Sequence, residues 1–233
     1  MECELKTRIE RDGFCVESGV LPRPAIERLL GILAASGESG GESKRRGGQR
    51  NLLDLPAVQT LCRCEPLRAL VECVLGANAF ATRGVLFDKT PEANWKVRWH
   101  QDKMIALRER RETAGFAAWS VKAGVPHAQP PVEVLEKMLS ARLHLDDCLE
   151  ENGPLRVLPG SHLRGILDEE AARDWKESGH AQSVPVPRGA VLLMRPLLLH
   201  ASSAAIAPRH RRVLHLDFAA ADLPNGLEWH RRV

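Results

Sequence analysis

The sequence predicts a mainly β protein with flanking helices, an α+β chain whose short strands form a sandwich or barrel behind an N-terminal helical flank. Three observations carry this. From Ala79 onward apolar residues alternate with period two in short runs bounded by Gly, Pro and Asn. Before Ala79 the apolar spacing is helical, and the 233 residues, 44% of them apolar and 27% charged, suit a soluble chain able to bury a full core.

In chain order, residues 25 to 35 carry Ile26, Leu29, Leu30, Ile32 and Leu33 at helical spacing, entered through Pro22 and Pro24. A Gly- and Ser-rich stretch, 36 to 50, ends that helix, and short helices are expected at 56 to 63 and 66 to 75, packed on a sheet. Strands are expected at 79 to 88, 95 to 102, 141 to 148, 154 to 159, 183 to 186, 190 to 195, 197 to 203 and 211 to 219. Helical pieces at 132 to 139 and 168 to 177 interrupt them. The stretch 103 to 131 follows neither period throughout, and its length marks it as a lid or substrate loop rather than a linker.

Composition excludes several classes. The net charge is only +3, and the one dense basic run, Lys44-Arg45-Arg46 with Arg50 nearby, shares its glycine-rich loop with Glu38 and Glu42, which describes a solvated loop rather than a nucleic-acid footprint. The start, Met1-Glu2-Cys3-Glu4-Leu5-Lys6, lacks the basic and apolar segments of a secretory signal, and no segment approaches the roughly 20 apolar residues of a membrane span. Cys3, Cys15, Cys62, Cys64, Cys73 and Cys148 show no CxxC pairing and are expected as reduced thiols of a cytoplasmic protein.

The chemistry centres on a pattern that occurs three times: His100-Gln101-Asp102, His144-Leu145-Asp146 and His215-Leu216-Asp217. In an extended segment residues i and i+2 point to one side, so each pair can offer a histidine and a carboxylate to one metal. A non-haem iron(II) centre needs two histidines and one carboxylate, with positions left open. "LLLHASS", 197 to 203, is the best source of the distant histidine, His200, although that segment alone equally suits a plain buried histidine. On the strand 211 to 219, Arg211, Val213, His215 and Asp217 share one face, while Arg212, Leu214, Leu216 and Phe218 form an apolar face suited to an outer layer. Arg211 therefore looks inward and needs an anion, which a dicarboxylate would supply through a bidentate pair.

Together, "WHQD" (99 to 102), "EENGPLRVLPGSH" (150 to 162), "LLLHASS" and an arginine eleven residues after His200 resemble the phytanoyl-CoA dioxygenase family of iron(II)- and 2-oxoglutarate-dependent oxygenases, over about residues 79 to 222. The resemblance implies a double-stranded β-helix, the jelly-roll or cupin-like core, within a single oxygenase domain spanning 1 to 233, with 1 to 78 as helical flank and 103 to 131 as substrate insert. It implies His100, Asp102 and His200 as iron ligands, Arg211 and Ser202 as contacts of 2-oxoglutarate, and Arg142 and Lys89 as co-substrate or site-wall residues. Some family members carry tryptophan at the Arg142 position. The implied reaction is hydroxylation of a C–H bond in a small-molecule substrate, using O2 and releasing succinate and CO2; the presence of Asp102 favours this over halogenation.

The remaining histidines have plainer roles. His144 with Asp146 and His215 with Asp217 are expected as hydrogen-bonded polar neighbours of the site, His162 as a turn residue, and His127 as a loop residue within reach of substrate. Arg108, Arg110, Arg111, Trp119, Lys122 and His127 of the insert are candidates to meet a polar or anionic substrate. Two rival functions share the barrel: a cupin-like metalloprotein acting without 2-oxoglutarate, and a non-catalytic small-molecule binding protein.

Overall fold

The computed structural model describes residues 4–38, 48–206 and 210–233. The basic run Lys44-Arg45-Arg46 and the first three residues lie outside the described residues. The elements are α1 (Glu4–Asp12), β1 (Phe14–Glu17), α2 (Arg23–Glu38), α3 (Pro56–Arg63), α4 (Glu65–Leu75), β2 (Phe80–Lys89), β3 (Val97–His100), β4 (Ile105–Ala106), β5 (Ala117–Lys122) and β6 (Val125–Gln129). They continue as α5 (Val132–Glu136), β7 (Met138–His144), β8 (Leu155–Val157), α6 (Glu169–Ser178), β9 (Gln182–Val184), β10 (Val191–Met194), β11 (His200–Ser202) and β12 (Arg211–Ala219).

Antiparallel pairing builds a five-stranded sheet in the order β1-β10-β7-β12-β2 and a four-stranded sheet in the order β3-β11-β8-β9. Neighbours in both sheets are mostly distant in sequence, as a jelly roll requires. The outward face of the larger sheet, with Leu139, Ala141, Leu143, Leu214, Leu216 and Phe218, packs against Ile9, Ile26, Leu33, Val58, Leu67 and Val71 of the four N-terminal helices. Between the sheets, Val157, Val184, Leu192, Met194 and Leu198 fill one end. Phe80, Ile105, Leu107, Met138, Leu197 and Trp229 fill the other. These apolar plugs leave the polar inward residues in the middle of the barrel.

Differences from the expected elements are local. Helix α1 buries only Leu5 and Ile9 and leads into β1, which extends the larger sheet beside β10. Gly13 makes that junction at φ 87, where a Cβ would meet His162 Nδ1 at 2.6 Å. Helix α5 ends at Glu136 and β7 begins at Met138, so part of the expected helix 132 to 139 is strand. The stretch 103 to 131 forms a third sheet, β4-β6-β5. Its period was hidden because Ala118 adopts φ 51 and shifts the register between Ala117 and Ser120. The tight connection of β5 to β6 uses left-handed Ala123 and Gly124, with only the glycine signalling it in advance. Cys73 is disulfide-bonded, which corrects the expectation of six thiols; the spacing of cysteines along a chain says little about which are brought together by folding. Cys15, Cys62, Cys64 and Cys148 are free.

Candidate metal centre and the anion cradle beside it

Strands β3 and β11 pair with His100 directly opposite His200, and their ring centroids stand 4.2 Å apart. The side chain between His100 and Asp102 of the "WHQD" motif holds this edge in place. Gln101 donates to Gly165 O (2.8 Å) and Leu197 O (2.7 Å), and its Oε1 accepts from Leu167 N (2.9 Å). Asp102 follows, its N–H donating to Pro196 O at 2.8 Å. His100 Nε2 lies 3.7 Å from Asp102 Oδ1, and His200 Nε2 lies 3.8 Å from Asp102 Oδ2. One ligand atom from each residue falls within 4.8 Å of the others. These separations are too long for hydrogen bonds, so the donors converge without satisfying one another.

Both imidazoles are locked in one tautomer. His100 Nδ1–H donates to Arg98 O and His200 Nδ1–H to Leu198 O, each at 2.8 Å. Because a carbonyl can only accept, Nδ1 carries a proton in each ring and Nε2 is the atom turned toward the shared centre. Burial drops the His200 pKa to about 3, with the charges of His100 and Arg142 adding to it against the opposing pull of Asp102. Burial works against ionisation of Asp102, yet His200, His215, His100 and Arg83 hold it down at about 2. Two imidazoles and one carboxylate form the donor set that suits non-haem Fe(II).

Strand β12 faces this centre from the larger sheet and organises the interior in rungs. Its register places Arg211 opposite Lys89, His215 between Val85 and Arg142, and Asp217 between Arg83 and Ser140. At the Asp217 end both carboxylate oxygens are engaged. Arg83 Nε donates to Asp217 Oδ2 (2.5 Å), while Ser140 Oγ (2.7 Å) and His215 Nε2 (2.8 Å) donate to Oδ1. Arg142 Nη1 donates to His215 Nδ1 at 2.9 Å, so both nitrogens of His215 are engaged within the protein. Burial opposes ionisation of Asp217, but Arg83, His215 and these hydrogen bonds hold its pKa far below the usual carboxylate range.

The Arg211 end is different. Lys89 Nζ donates to Ser202 Oγ (3.1 Å) and Ser203 O (2.8 Å), and Arg211 donates to Gly153 O, in a turn where Gly153 itself is left-handed at φ 63. Arg211 Nε, Arg142 Nε and both ring nitrogens of His144 are buried with no hydrogen-bond partner. Among the described residues no carboxylate pairs with Lys89, Arg142 or Arg211. Burial, reinforced by Arg211 and Arg142, brings the Lys89 pKa down to about 7; burial also pulls Arg142 to about 10 and His144 well below its ordinary value. Buried cations and orphaned donors with no anion fit an anionic ligand.

The other expectations sort by geometry. His144 lacks the hydrogen bonds expected of it, whereas Asp146 is bound by the Arg212 side chain (2.7 and 2.8 Å) on the opposite face. His162 sits in the turn 161–164 and meets Glu10 O through Nε2 at 3.1 Å, tying that turn to α1. In the third sheet, His127 stands opposite Ser120, and alternation puts Lys122 on the same face. Trp119 is turned the other way, its ring 6.4 Å from that of Phe116, against the apolar cluster at that end of the barrel. Arg108, Arg110 and Arg111 are exposed and paired with Glu228, Glu112 and the carbonyl of Asn225. Two arginines passed over in the sequence also face this region, Arg83 and Arg50: their charges help to hold the His127 pKa, lowered mainly by burial, at about 4. Arg83 was legible, since alternation from Lys89 back through Phe87 and Val85 reaches it; Arg50 carried no periodic signal.

Among known proteins, a family model described as phytanoyl-CoA dioxygenase matches residues 9–213. The chain is 25% identical to an L-proline trans-4-hydroxylase of Streptomyces griseoviridis over 92% of its length and 85% of that protein. It is 26% identical to a Stutzerimonas stutzeri protein named "Probable alpha-ketoglutarate-dependent hypophosphite dioxygenase", over 71% of this chain and 54% of that one. The solved structure of EctD from S. alaskensis with 2-oxoglutarate and 5-hydroxyectoine superimposes with a TM-score of 0.72 at 19% identity, covering 94% of this chain and 76% of that one. That likeness bears on the fold, which is the expected jelly roll with flanking helices.

Proposed function

The chain belongs to the phytanoyl-CoA dioxygenase family and is an Fe(II)- and 2-oxoglutarate-dependent oxygenase, and we propose that His100, Asp102 and His200 hold its iron while Arg211 anchors the co-substrate. The observation that carries the assignment is the juxtaposition of a convergent two-histidine, one-carboxylate set with a buried cationic cradle that has no anion of its own. Bound iron supplies the activation of O2 coupled to oxidative decarboxylation of 2-oxoglutarate, yielding succinate and CO2.

The protein's part is positional. The carbonyls of Arg98 and Leu198 hold Nδ1 of each ring and so turn both Nε2 atoms toward the metal position. Arg211, Lys89 and Ser202 receive the far carboxylate of 2-oxoglutarate, and Arg142 and His144 line the approach with donors that lack partners. The Asp217 network keeps His215 engaged and out of the metal's reach. Apolar clusters at both ends of the barrel exclude water from the centre.

The primary substrate is a small molecule and the reaction a C–H hydroxylation; the relatives named for L-proline and hypophosphite point to substrates of that size. The chain acts as one domain, with residues 103 to 131 forming a wall of the substrate pocket. Among the described residues no helix is long and apolar enough to cross a membrane. The cradle weighs against a barrel metalloprotein that works without 2-oxoglutarate, because Lys89, Arg142 and Arg211 would then stay buried without an anion. The test is succinate formation from 2-oxoglutarate by the Fe(II)-loaded protein in air, paired with calorimetric binding of 2-oxoglutarate to the Mn(II)-loaded protein. Binding and succinate together support the assignment; absence of both removes it.

A further inference from the structure

A second group of cations, in which only Arg83 has a carboxylate partner, lies farther along β2 from the co-substrate cradle. Six residues separate Arg83 from Lys89, roughly 20 Å along a strand, so the two groups cannot serve one small ligand. Arg50 belongs to this group and is held from both sides. Gln49 pairs with Leu86 of β2 through two backbone hydrogen bonds (2.8 and 2.9 Å), and Asn51, left-handed at φ 58, donates Nδ2–H to Ala123 O at 3.1 Å. Ala123 directly follows Lys122, so the Asn51 bridge draws Arg50 and Lys122 to the two sides of one junction.

Both side chains are half-buried, and neither makes an ion pair or a hydrogen bond with any described residue. Arg83 faces the same space: only its Nε is engaged by Asp217, and the side chain keeps 17% exposure. Burial lowers the Lys122 pKa, with Arg50 and Arg83 adding to it and Asp102 opposing, so all three cations act on a region that reaches the proposed iron ligand. The facing wall offers Ser120, whose buried Oγ has no partner, and His127, neutral and donating Nδ1–H to Val125 O at 2.9 Å. Asp102 does not neutralise this group, being directed at His100 and His200. Arg50 and Lys122, half-buried on the two sides of the Asn51–Ala123 bridge with no carboxylate partner among the described residues, together with the uncommitted outer nitrogens of Arg83, describe an anion subsite.

We infer that the primary substrate presents an anionic group, a carboxylate or a phosphate, to Arg50, Lys122 and the outer nitrogens of Arg83. This rests on the iron and 2-oxoglutarate assignment, which reserves the Lys89–Arg211 cradle for the co-substrate. The test is calorimetric titration of the protein, loaded with Mn(II) and saturated with 2-oxoglutarate, with inorganic phosphate and separately with acetate. At least one anion binds saturably, and the better of the two identifies the head group. The double variant Arg50→Met, Lys122→Met raises its Kd at least tenfold, about 1.4 kcal/mol. The charge-preserving variant Arg50→Lys, Lys122→Arg restores binding to within about threefold, which separates lost charge from misfolding, and Arg23→Met on the exposed face of α2 changes nothing. The inference is overturned if neither anion saturates, or if the double variant binds as the unaltered protein does. If 2-oxoglutarate itself fails to bind the Mn(II)-loaded protein, the parent assignment falls first and takes the inference with it.

Discussion

The two ends of β12 carry similar residue types and behave in opposite ways. Around Asp217, Arg83 Nε, Ser140 and His215 close on the carboxylate, and the second ring nitrogen of His215 is closed by Arg142 Nη1. Around Arg211, three buried cations and an unpartnered histidine lack any carboxylate among the described residues. A satisfied buried network holds a barrel in one geometry, whereas an unsatisfied one stores a binding potential that a ligand completes. The contrast separates scaffold from site without reference to which residue types are present.

The comparison makes graded predictions. The largest effect belongs to the metal centre: His200→Ala or Asp102→Ala abolishes succinate formation and metal loading, while His215→Ala leaves the metal bound, as elemental analysis of the purified variants shows. A metal-free His215 variant beside a fully loaded His200 variant would exchange the roles assigned to the two histidines. Next, Arg211→Ala weakens 2-oxoglutarate by roughly 10- to 100-fold, the loss expected for a charge-assisted, bidentate-capable contact, with metal content unchanged. Calorimetry on the Mn(II) form measures both.

At the closed end the effect is on stability. Asp217→Asn leaves Arg83 buried without its counter-charge and lowers unfolding free energy by about 3–5 kcal/mol, read from denaturant melts. By contrast Arg211→Met, at the open end, costs less than about 1 kcal/mol or even stabilises the free protein, as substitutions at strained binding sites do. Equal losses at the two ends would erase the distinction between them.

The smallest effect is a pH dependence. Burial and the Arg211 and Arg142 charges disfavour the Lys89 proton and bring its pKa down to about 7 in the folded protein from the ordinary 10.5. The unfolded chain therefore binds more protons between these values, so the ligand-free protein gains stability as pH rises from about 7 toward 10.5. Affinity for 2-oxoglutarate runs the other way, falling above pH 7, because Lys89 must regain its proton to pair with the bound carboxylate. Lys89→Arg, permanently charged, flattens both profiles; thermal melts and calorimetry across the window check this.

Much of the site could be read along the chain because strands are read with period two. Alternation correctly turned Arg211, His215 and Asp217 inward and Leu214, Leu216 and Phe218 toward the helices. The same rule applied to β2 would have added Arg83. It failed in the 103 to 131 insert, where Ala118 breaks the alternation with a left-handed backbone, and it says nothing of Arg50, which lies outside any regular element. Helix α1 escaped notice because it contributes only two buried residues to the core.

Local pattern alone established a mainly β chain with a helical flank, three histidine–aspartate pairs able to share a face, and an inward arginine in need of an anion. Which pair meets a second histidine depended on strand order. Of the three strands that carry these pairs, β3 lies beside β11, whereas β7 and β12 belong to the other sheet. Period two is a property of neighbouring residues, but the apposition of His100 with His200, of Arg211 with Lys89, and of Arg50 with Lys122 arises from pairings between residues far apart in the chain. Those pairings are selected by burial of the whole core, so the tertiary structure was needed to distinguish ligands from neighbours and a closed network from an open cradle.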